Sequence, residues 1–268
     1  MKPYAEVIGD PIAQSKSPLI HGFWLDQLGI DAEYKRFHVK PAALADYFAT
    51  RRIDPHWRGC NVTVPHKLAA LDHVADPGDV RGSIGAINTV FRGEGAWIGT
   101  NTDAAGFHAP IAGLDLTKQP VAVIGAGGAA RAILFALSKL GVGRVTILNR
   151  NPLKAAALLA TFGLKGEALP LTAPLPPVKL LVNASTLGMI GQPPLAVDLT
   201  PLPEDAVVYD AVYAPIETPL LRQAHDRGLD TVDGLEMLVG QAALAFELFF
   251  GDAPPRDRDD ELRARLLE

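Results

Sequence analysis

Short apolar runs, separated by glycine, proline and polar residues, alternate along the chain with apolar stretches of helical length. The clearest run is Val121–Ile124, which leads through a glycine-rich turn into the apolar stretch Arg131–Leu140. Gly141 and Gly143 end that stretch, and Arg144–Leu148 is apolar enough to form the next strand. Strand, turn, helix and strand within about 30 residues predict a βαβ unit, and therefore a parallel sheet.

The same alternation extends to both sides of this unit. Before it, the pattern predicts strands at Ala5–Gly9, Ala32–His38 and Gly59–Thr63, helices at Ser17–Leu28 and Pro41–Thr50, and a hairpin of Ala86–Phe91 with Ala96–Gly99. After it, the pattern predicts a helix at Pro152–Thr161, a proline-rich loop, strands at Val178–Val182 and Ala206–Tyr209, a strand and turn at Thr231–Gly234, and helices at Leu235–Phe250 and Arg256–Glu268. In the last helix, Leu262, Leu266 and Leu267 are expected to face inward.

Composition and charge narrow the class of protein. The chain has 268 residues, 48% of them hydrophobic and 21% charged, which is typical of a folded protein with two domains or one large one. The net charge is −5 and no basic run exceeds Arg51-Arg52, so neither a nucleic acid nor a membrane surface is indicated as a partner. No segment is long and apolar enough to predict a membrane span, and the first residues lack the apolar stretch that is typical of a signal peptide. A small-molecule substrate is favoured, and a homodimer is left open.

Cysteine and histidine usage limits the chemistry. Cys60 is the only cysteine, which excludes an intrachain disulfide and a cysteine-based zinc site and favours a cytoplasmic location. We interpret Cys60 as a small buried hydrophobe rather than a reactive thiol. The seven histidines form no pair at metal-ligand spacing, so no protein-bound metal is predicted.

The glycine-rich turn is typical of dinucleotide binding. Gly125 permits a tight turn, and Gly127 lets backbone N–H groups approach a pyrophosphate at the start of the following helix. Ala130 takes the place of the third glycine, where a small side chain suffices. A glycine-rich turn without a ligand is the alternative that this motif alone leaves open.

The end of the next strand indicates which dinucleotide is bound. An NAD-binding protein carries an acidic residue there to accept from the ribose 2′-hydroxyl, but this chain has Asn149-Arg150-Asn151, with Lys154 one turn later. A guanidinium suits a dianionic 2′-phosphate. A solvated loop charge is the alternative for Arg150 taken alone, but together with the glycine-rich turn the sequence predicts NADP as the cofactor.

Three polar segments in the first hundred residues stand at the predicted ends of strands. Gln14–Pro18 offers two hydroxyls at a helix start, where a carboxylate could bind, although an ordinary helix cap has the same composition. Asn61–Lys67 delivers a lysine to the exit of a strand, although a single lysine is usually a surface residue. Asn88-Thr89 and Asn101–Asp103 bring amides and a carboxylate to one end of the hairpin, although such residues often only stabilise turns.

Taken together, these motifs resemble the shikimate dehydrogenase family along essentially the whole chain. The matching segments, in family order, are Ser15–Pro18, Asn61–Lys67, Gly85–Thr89, Asn101–Gly106, Gly125–Ala130, Asn149-Arg150, Asn183–Met189, Tyr213 with Pro215, Asp233-Gly234 and Gly240–Ala242. The resemblance implies an α/β fold, in which a Rossmann-type doubly wound parallel sheet accompanies an N-terminal α/β substrate domain completed by the C-terminal helices. The expected boundaries are 1–105 for the substrate-binding and catalytic domain, 106–235 for the NADP-binding domain, and 236–268 for helices that pack back on the substrate domain.

The resemblance also implies roles for individual residues. Lys67 and Asp103 would carry the proton chemistry. Substrate binding would fall to Ser15, Ser17, Thr63, Lys67, Asn88, Asp103, Tyr213 and Gln241. NADP binding would fall to Gly125, Ala126, Gly127, Gly128, Ala129, Ala130, Asn149, Arg150, Asn151, Lys154, Ala211 and Gly234, together with Asp79, whose surroundings depart from the family pattern.

The implied activity is the NADPH-dependent, reversible reduction of 3-dehydroshikimate to shikimate in aromatic amino-acid biosynthesis. A dual-specificity quinate/shikimate dehydrogenase is the nearest alternative, and Ser17, where quinate use would favour a threonine, argues against it. A catalytically silent, ligand-binding relative would have little reason to retain both Lys67 and Asp103. A methylenetetrahydrofolate dehydrogenase would need a larger apolar platform than these polar segments offer.

Overall fold

The computed structural model describes residues 2–268, which form two compact units. Unit 1 combines the chain up to Thr102 with the segment Val239–Glu268. Unit 2 is the continuous segment Asp103–Leu238. Unit 1 is therefore built from two separate stretches of sequence, with all of unit 2 between them.

Unit 1 is an α/β unit with a mixed sheet. Its first stretch forms β1 (Tyr4–Gly9), α1 (Ser17–Leu28), β2 (Glu33–His38), α2 (Leu44–Arg52), β3 (Trp57–Val62), α3 (Val80–Ser83), β4 (Thr89–Arg92) and β5 (Trp97–Thr100). The strand order is β2-β1-β3-β4-β5, in which β1 is parallel to β2 and β3, whereas β4 is antiparallel to β3 and β5. Because β1 and β3 run parallel, the two polar segments that follow them leave the sheet at the same edge.

Unit 2 has the doubly wound parallel sheet that the sequence predicts. Its elements are α4 (Asp103–His108), β6 (Val121–Ile124), α5 (Gly128–Lys139), β7 (Val145–Asn149), α6 (Pro152–Thr161), β8 (Gly166–Pro170), β9 (Leu180–Asn183), β10 (Val207–Asp210), α7 (Pro219–Asp226) and β11 (Asp230–Val232). The strand order is β11-β10-β9-β6-β7-β8, with all neighbours parallel. The order reverses between β6 and β9, and ligands of such sheets bind beyond the carboxyl ends of the strands at that point.

Alternating residues of β6 explain why helices cover both faces of this sheet. Val121 and Val123 pack into the apolar cluster that contains Ile133 of α5, whereas Ala122 and Ile124 pack into a cluster on the other face. Such a strand is apolar at every position, as parallel strands buried on both faces are.

The last two helices are α8 (Gly234–Phe250) and α9 (Asp259–Leu267). In unit 1, Phe246 of α8 lies 5.6 Å from Trp24 of α1 between ring centroids, and Phe249 lies 6.3 Å from Tyr34 of β2. The C-terminal helices therefore complete the core of unit 1, which confirms the predicted fold class. None of the helices in residues 2–268 is long and apolar enough to span a membrane.

The structure also differs from the sequence-based prediction in several places. Strand β8 and helix α7 were not predicted, and the segment expected to be helical from Pro41 begins as a 3-10 turn, with α2 starting at Leu44. The prediction for Leu267 was wrong: it is 56% exposed, because the inward face of α9 is formed by Leu262 and Leu266 one turn apart.

Candidate active site

The Ser15–Ser17 turn presents two buried hydroxyls beside each other. Ser15 Oγ lies 3.2 Å from Ser17 Oγ and accepts a hydrogen bond from the backbone N–H of Ser17 at 3.3 Å. Neither serine occupies the N-cap position of α1, which is Lys16, and Lys16 makes no side-chain capping hydrogen bond. Ser15 nevertheless accepts from the first N–H of the helix, so the turn combines a local capping contact with a pair of hydroxyls at the helix start.

Arg36 of β2 makes hydrogen bonds to the backbone of this turn, and the sequence analysis did not identify it as a site residue. Its Nε and Nη2 donate to the carbonyl oxygen of Ser15 at 2.8 and 2.5 Å. Lys16 also donates to the backbone carbonyl of Leu266 in α9. The turn is thus fixed from two sides, and a guanidinium stands next to the serine pair.

The segment after β3 is fixed through its backbone. The N–H of Thr63 donates to the Ile8 carbonyl at 2.9 Å, and the carbonyl of Lys67 accepts from the Ile87 N–H at 2.8 Å. Thr63 and Lys67 are both half-buried. Because Ile87 directly precedes Asn88, the loop that carries Lys67 is attached to the strand entry that carries Asn88.

A buried network of amides and hydroxyls surrounds Asn88. Its Oδ1 accepts from the backbone N–H of Thr102 at 2.7 Å and from the Thr89 hydroxyl at 3.1 Å. Its Nδ2 donates to Thr102 Oγ1 at 2.8 Å and to Gln241 Oε1 at 3.1 Å. The hairpin therefore brings Asn88 and Thr89 to Thr102, and α8 adds Gln241 to them.

Asn61 of β3 links this network to Tyr34 of β2. It accepts from the Tyr34 hydroxyl at 2.5 Å and donates to Thr89 Oγ1 at 3.1 Å. Burial raises the pKa of Tyr34 well above its usual range, so Tyr34 remains a neutral donor to Asn61. Cys60 is fully buried, which confirms its interpretation as a small buried hydrophobe, and desolvation raises the pKa of its thiol.

Two further predicted site residues belong to unit 2, and one belongs to unit 1. Asp103 is buried and is the first residue of α4, whereas Tyr213 is half-buried and follows β10. In unit 1, Asp79 is exposed, has a φ of 49°, and caps α3 by accepting from the Gly82 N–H at 3.2 Å. The structure thus provides a capping role for Asp79, while its cofactor role stays a prediction.

The glycine turn after β6 has the geometry that dinucleotide binding requires. Gly125 has a φ of +111°, and a Cβ there would stand 3.1 Å from the backbone of Ala184. Helix α5 starts at Gly128, and its N-cap is Gly127, which has no side chain to cap the first N–H groups. These N–H groups and the helix dipole are suited to bind a pyrophosphate.

The corner after β7 is exposed and basic. Arg150, Asn151 and Lys154 are exposed, and the Asn151 side chain caps α6 by accepting from the Lys154 N–H at 3.2 Å. Asn149 fixes the same corner by donating to the Asn151 carbonyl at 2.8 Å. The cations are thus anchored at the end of the strand that follows the glycine turn, and no acidic residue stands between Asn149 and Lys154.

A buried polar cluster joins the ends of β9 and β10. Asn183 donates to Asp210 at 2.8 Å, and Thr218 donates to the other oxygen of Asp210 at 2.7 Å. Burial raises the pKa of Asp210, against the effect of these hydrogen bonds. The cluster fixes the loop that contains Ala211. A Cβ on Gly234 would stand 2.5 Å from the Val212 carbonyl, so α8 can start beside that loop only with glycine.

These features define a class: a dinucleotide-dependent oxidoreductase whose α/β substrate unit is separate from its Rossmann unit. No group of three or more potential metal-ligating residues occurs within residues 2–268.

Family models match at residues 7–90 (shikimate dehydrogenase substrate binding domain), 109–175 (shikimate/quinate 5-dehydrogenase) and 234–259 (shikimate 5′-dehydrogenase C-terminal domain). A shikimate dehydrogenase (NADP(+)) from Sphingopyxis alaskensis is 70% identical over 266 residues, or 99% of this chain and 97% of the relative. The chain belongs to the shikimate dehydrogenase family.

Solved structures agree with this assignment. Shikimate 5-dehydrogenase from Thermus thermophilus, in complex with NADP(H) and shikimate, has a TM-score of 0.86 and 38% identity, covering 99% of this chain and 100% of that one. The ligand-free 5-ketofructose reductase of a Gluconobacter strain has the same TM-score at 32% identity, covering 100% and 98%. The architecture is thus shared by a shikimate 5-dehydrogenase and a 5-ketofructose reductase.

Proposed function

We propose that this protein catalyses the reversible, NADPH-dependent reduction of 3-dehydroshikimate to shikimate in aromatic amino-acid biosynthesis. The observation that carries the proposal is the combination of two sites in one chain. Unit 1 holds a buried set of neutral hydroxyl and amide groups, and unit 2 holds a glycine turn with a basic corner at Arg150. The 70% identical relative, named for the same activity, supports it.

The neutral side chains of unit 1 suit a cyclohexene carboxylate with several hydroxyls. We assign the carboxylate to Ser15 and Ser17, because a hydroxyl pair next to the Arg36 guanidinium favours an anion. We assign ring hydroxyls to Thr63, Asn88 and Gln241, whose neutral donors and acceptors match those of an alcohol.

The residues of unit 2 fit NADP. Gly125–Ala130 would bind the pyrophosphate, Asn149–Lys154 would bind the adenosine 2′-phosphate, and Ala211 and Gly234 would line the remainder of the site. When bound, NADPH supplies the hydride that reduces the ketone. Arg150 makes NADP rather than NAD the expected cofactor, because a guanidinium pairs with the phosphate that NAD lacks. We extend the proposal to a cytoplasmic enzyme, which the single, buried cysteine supports.

The chemistry of the ketone oxygen is assigned to Lys67 and Asp103. As the ketone is reduced, its oxygen gains negative charge, and the ammonium of Lys67 donates a proton to it. The carboxylate of Asp103 accepts a hydrogen bond from a substrate hydroxyl and thereby fixes the orientation of the ring for hydride transfer. We propose that both residues act in the same step.

Steady-state kinetics with 3-dehydroshikimate and NADPH test the whole proposal. Wild-type protein is expected to turn over, with quinate a poor substrate in the reverse direction. Lys67→Ala should lower kcat about 10²- to 10⁴-fold, with much less effect on shikimate binding. The double variant with Asp103→Asn should be little worse than the poorer single variant, because residues that act as one unit are not additive. Near-normal kcat in Lys67→Ala would remove Lys67 from the chemistry.

A further inference from the structure

We propose that unit 2 has a second binding site, which takes a small organic anion made of a phosphate group on an apolar ring. The site is a cleft of about 540 Å³, a volume typical of small-molecule pockets. We call it the basic cleft, because cations line it together with apolar side chains: Lys118, Arg144, Lys165, Val142, Phe162 and Leu164. The proposed function does not involve this site.

The basic cleft lies at the opposite edge of the sheet from the dinucleotide site. Lys118 precedes β6, Arg144 directly precedes β7, and Lys165 directly precedes β8. These strands are parallel, so their amino ends share one edge, whereas Gly125 and Arg150 follow the carboxyl ends of β6 and β7. The extended chain from Arg144 to Arg150 spans about 20 Å. A ligand in the basic cleft therefore leaves the dinucleotide site free.

Backbone contacts fix the loops that carry the cations. The N–H of Lys118 donates to the Gly141 carbonyl at 2.9 Å. A Cβ on Gly143 would stand 2.3 Å from the Lys118 carbonyl, so these two loops approach so closely only with glycine. The carbonyl of Lys165 accepts from the Val145 N–H at 2.8 Å. The three cations thus project from loops that are joined to one another or to the sheet.

Lys118 is held in a backbone conformation that lysine rarely adopts. Its φ is +60°, in the left-handed region. A residue stays in that region only where its surroundings hold it, and here the hydrogen bond to Gly141 and the close approach of Gly143 do so. The position of Lys118 at the cleft is therefore fixed by the fold.

The charges of the basic cleft favour an anion. Lys118 and Lys165 are exposed, and neither has an ion-pair partner within residues 2–268. Glu167 contacts Arg144 Nε at 3.4 Å, but both side chains are exposed to solvent, so this ion pair is weak. The chain as a whole has a net charge of −5, yet no carboxylate is among the described residues that line the cleft. Three cations at one cleft suit a dianionic phosphate.

The apolar side chains of the basic cleft favour a ring on that phosphate. Val142, Phe162 and Leu164 are each half-buried, so they retain apolar surface that a ligand can cover. A ring placed against them removes that surface from water, which stabilises the complex. An anion without a ring lacks this contribution, and a ring without a charge lacks the contribution of the cations.

Isothermal titration calorimetry of the full chain tests the ligand class, with phenyl phosphate as the probe. Saturating NADP+ is present throughout, so that the probe cannot occupy the dinucleotide site. Phenyl phosphate is expected to bind with a Kd about 10-fold below those of inorganic phosphate, which lacks the ring, and of benzyl alcohol, which lacks the charge. No saturable binding of phenyl phosphate, or equal binding of inorganic phosphate, would overturn the proposal.

Paired variants test the location. Lys118→Gln combined with Lys165→Gln should raise the Kd for phenyl phosphate about 10-fold, because two cations of the cleft are lost. The matched control, Lys179→Gln combined with Arg222→Gln, removes two cations of unit 2 that pair with carboxylates outside the cleft, and it should stay within about twofold of wild type. Arg150→Gln should do the same. An unchanged Kd in the first double variant, or equal losses in the control, would overturn the proposal.

Hydrogen exchange of wild-type protein locates the site without any substitution. Phenyl phosphate should slow amide exchange in segments 116–119, 141–144 and 162–166, with the Gly125–Ala130 turn unchanged. Slower exchange at that turn alone would overturn the proposal, even if a variant did not fold. Absence of turnover with 3-dehydroshikimate would refute the proposed function instead, because none of these measurements depends on turnover.

Discussion

His21 allows a quantitative prediction of how the stability of unit 1 depends on pH. The ring is fully buried, stacks on Tyr34 with 3.9 Å between centroids, and has no hydrogen-bond partner for either nitrogen among the described residues. Desolvation lowers the pKa of His21 from 6.5 to about 3. The imidazole is therefore neutral in the folded protein over a pH range in which the unfolded chain binds a proton.

The sign and the size of the effect follow from this difference. Between about pH 6.5 and pH 3 the unfolded state binds more protons than the folded state, so stability falls as the pH falls through that range. The slope reaches about 1.4 kcal/mol per pH unit. From near pH 8 to near pH 5 the loss due to His21 is about 2 kcal/mol, because only the interval below 6.5 contributes.

Urea unfolding followed by tryptophan fluorescence measures this quantity in unit 1 alone, because Trp24, Trp57 and Trp97 are the three tryptophans of the chain and all belong to that unit. His21→Phe keeps a ring against Tyr34 and removes the titrating group. Wild type is expected to lose about 2 kcal/mol more than His21→Phe between near pH 8 and near pH 5. The two proteins differ only at residue 21, so the difference between their losses isolates the contribution of His21. Equal losses in the two proteins would refute the reasoning.

Three further predictions concern ligand binding. Arg150→Ala should reduce the preference for NADPH over NADH about 10- to 150-fold, because a charged hydrogen bond contributes about 1.5–3 kcal/mol; an unchanged ratio of the two kcat/KM values would show that Arg150 does not hold the 2′-phosphate. Ser17→Ala should raise the KM for shikimate about 10-fold with little change in kcat, and a loss of NADP affinity instead would assign that turn to the cofactor. Arg36→Gln should also raise the KM for shikimate, since it removes the charge and loosens the Ser15 carbonyl contacts, with Arg36→Lys expected between Arg36→Gln and wild type; identical KM values in all three proteins would contradict a role for Arg36.

The sheet of unit 2 could be predicted from local pattern, because β6 is apolar at every position, β9 and β10 are interrupted by a charged or amide residue only at their last position, and a glycine turn separates β6 from α5. Strand β8 could not, because it begins with Gly166 and ends at Pro170, residues that ordinarily mark turns, and lies at the sheet edge, where little burial is required. Helix α7 is short, and its pattern lies among prolines and glycines that favour loops.

The polar segments of the site were visible as sequence motifs, but their geometry was not. The contact between Asn88 and Gln241 joins residues 153 positions apart, which no local pattern reports. Arg36 lies on a strand whose residues are mostly exposed, so its charge resembles any surface charge until the contact with Ser15 is seen. The catalytic and binding roles of the individual residues stay predictions.

The division of unit 1 into two stretches has a consequence for biosynthesis. The ribosome synthesises the chain from its N-terminus, and domains generally fold as units while synthesis continues. Unit 2 is continuous and can fold once Leu238 has emerged. Unit 1 must wait for Phe246 and Phe249, which fill its core, and for Gln241. The nascent chain is therefore expected to bind nucleotide before it can bind substrate, and Trp24 of α1 is expected to stay exposed to solvent until α8 has been synthesised.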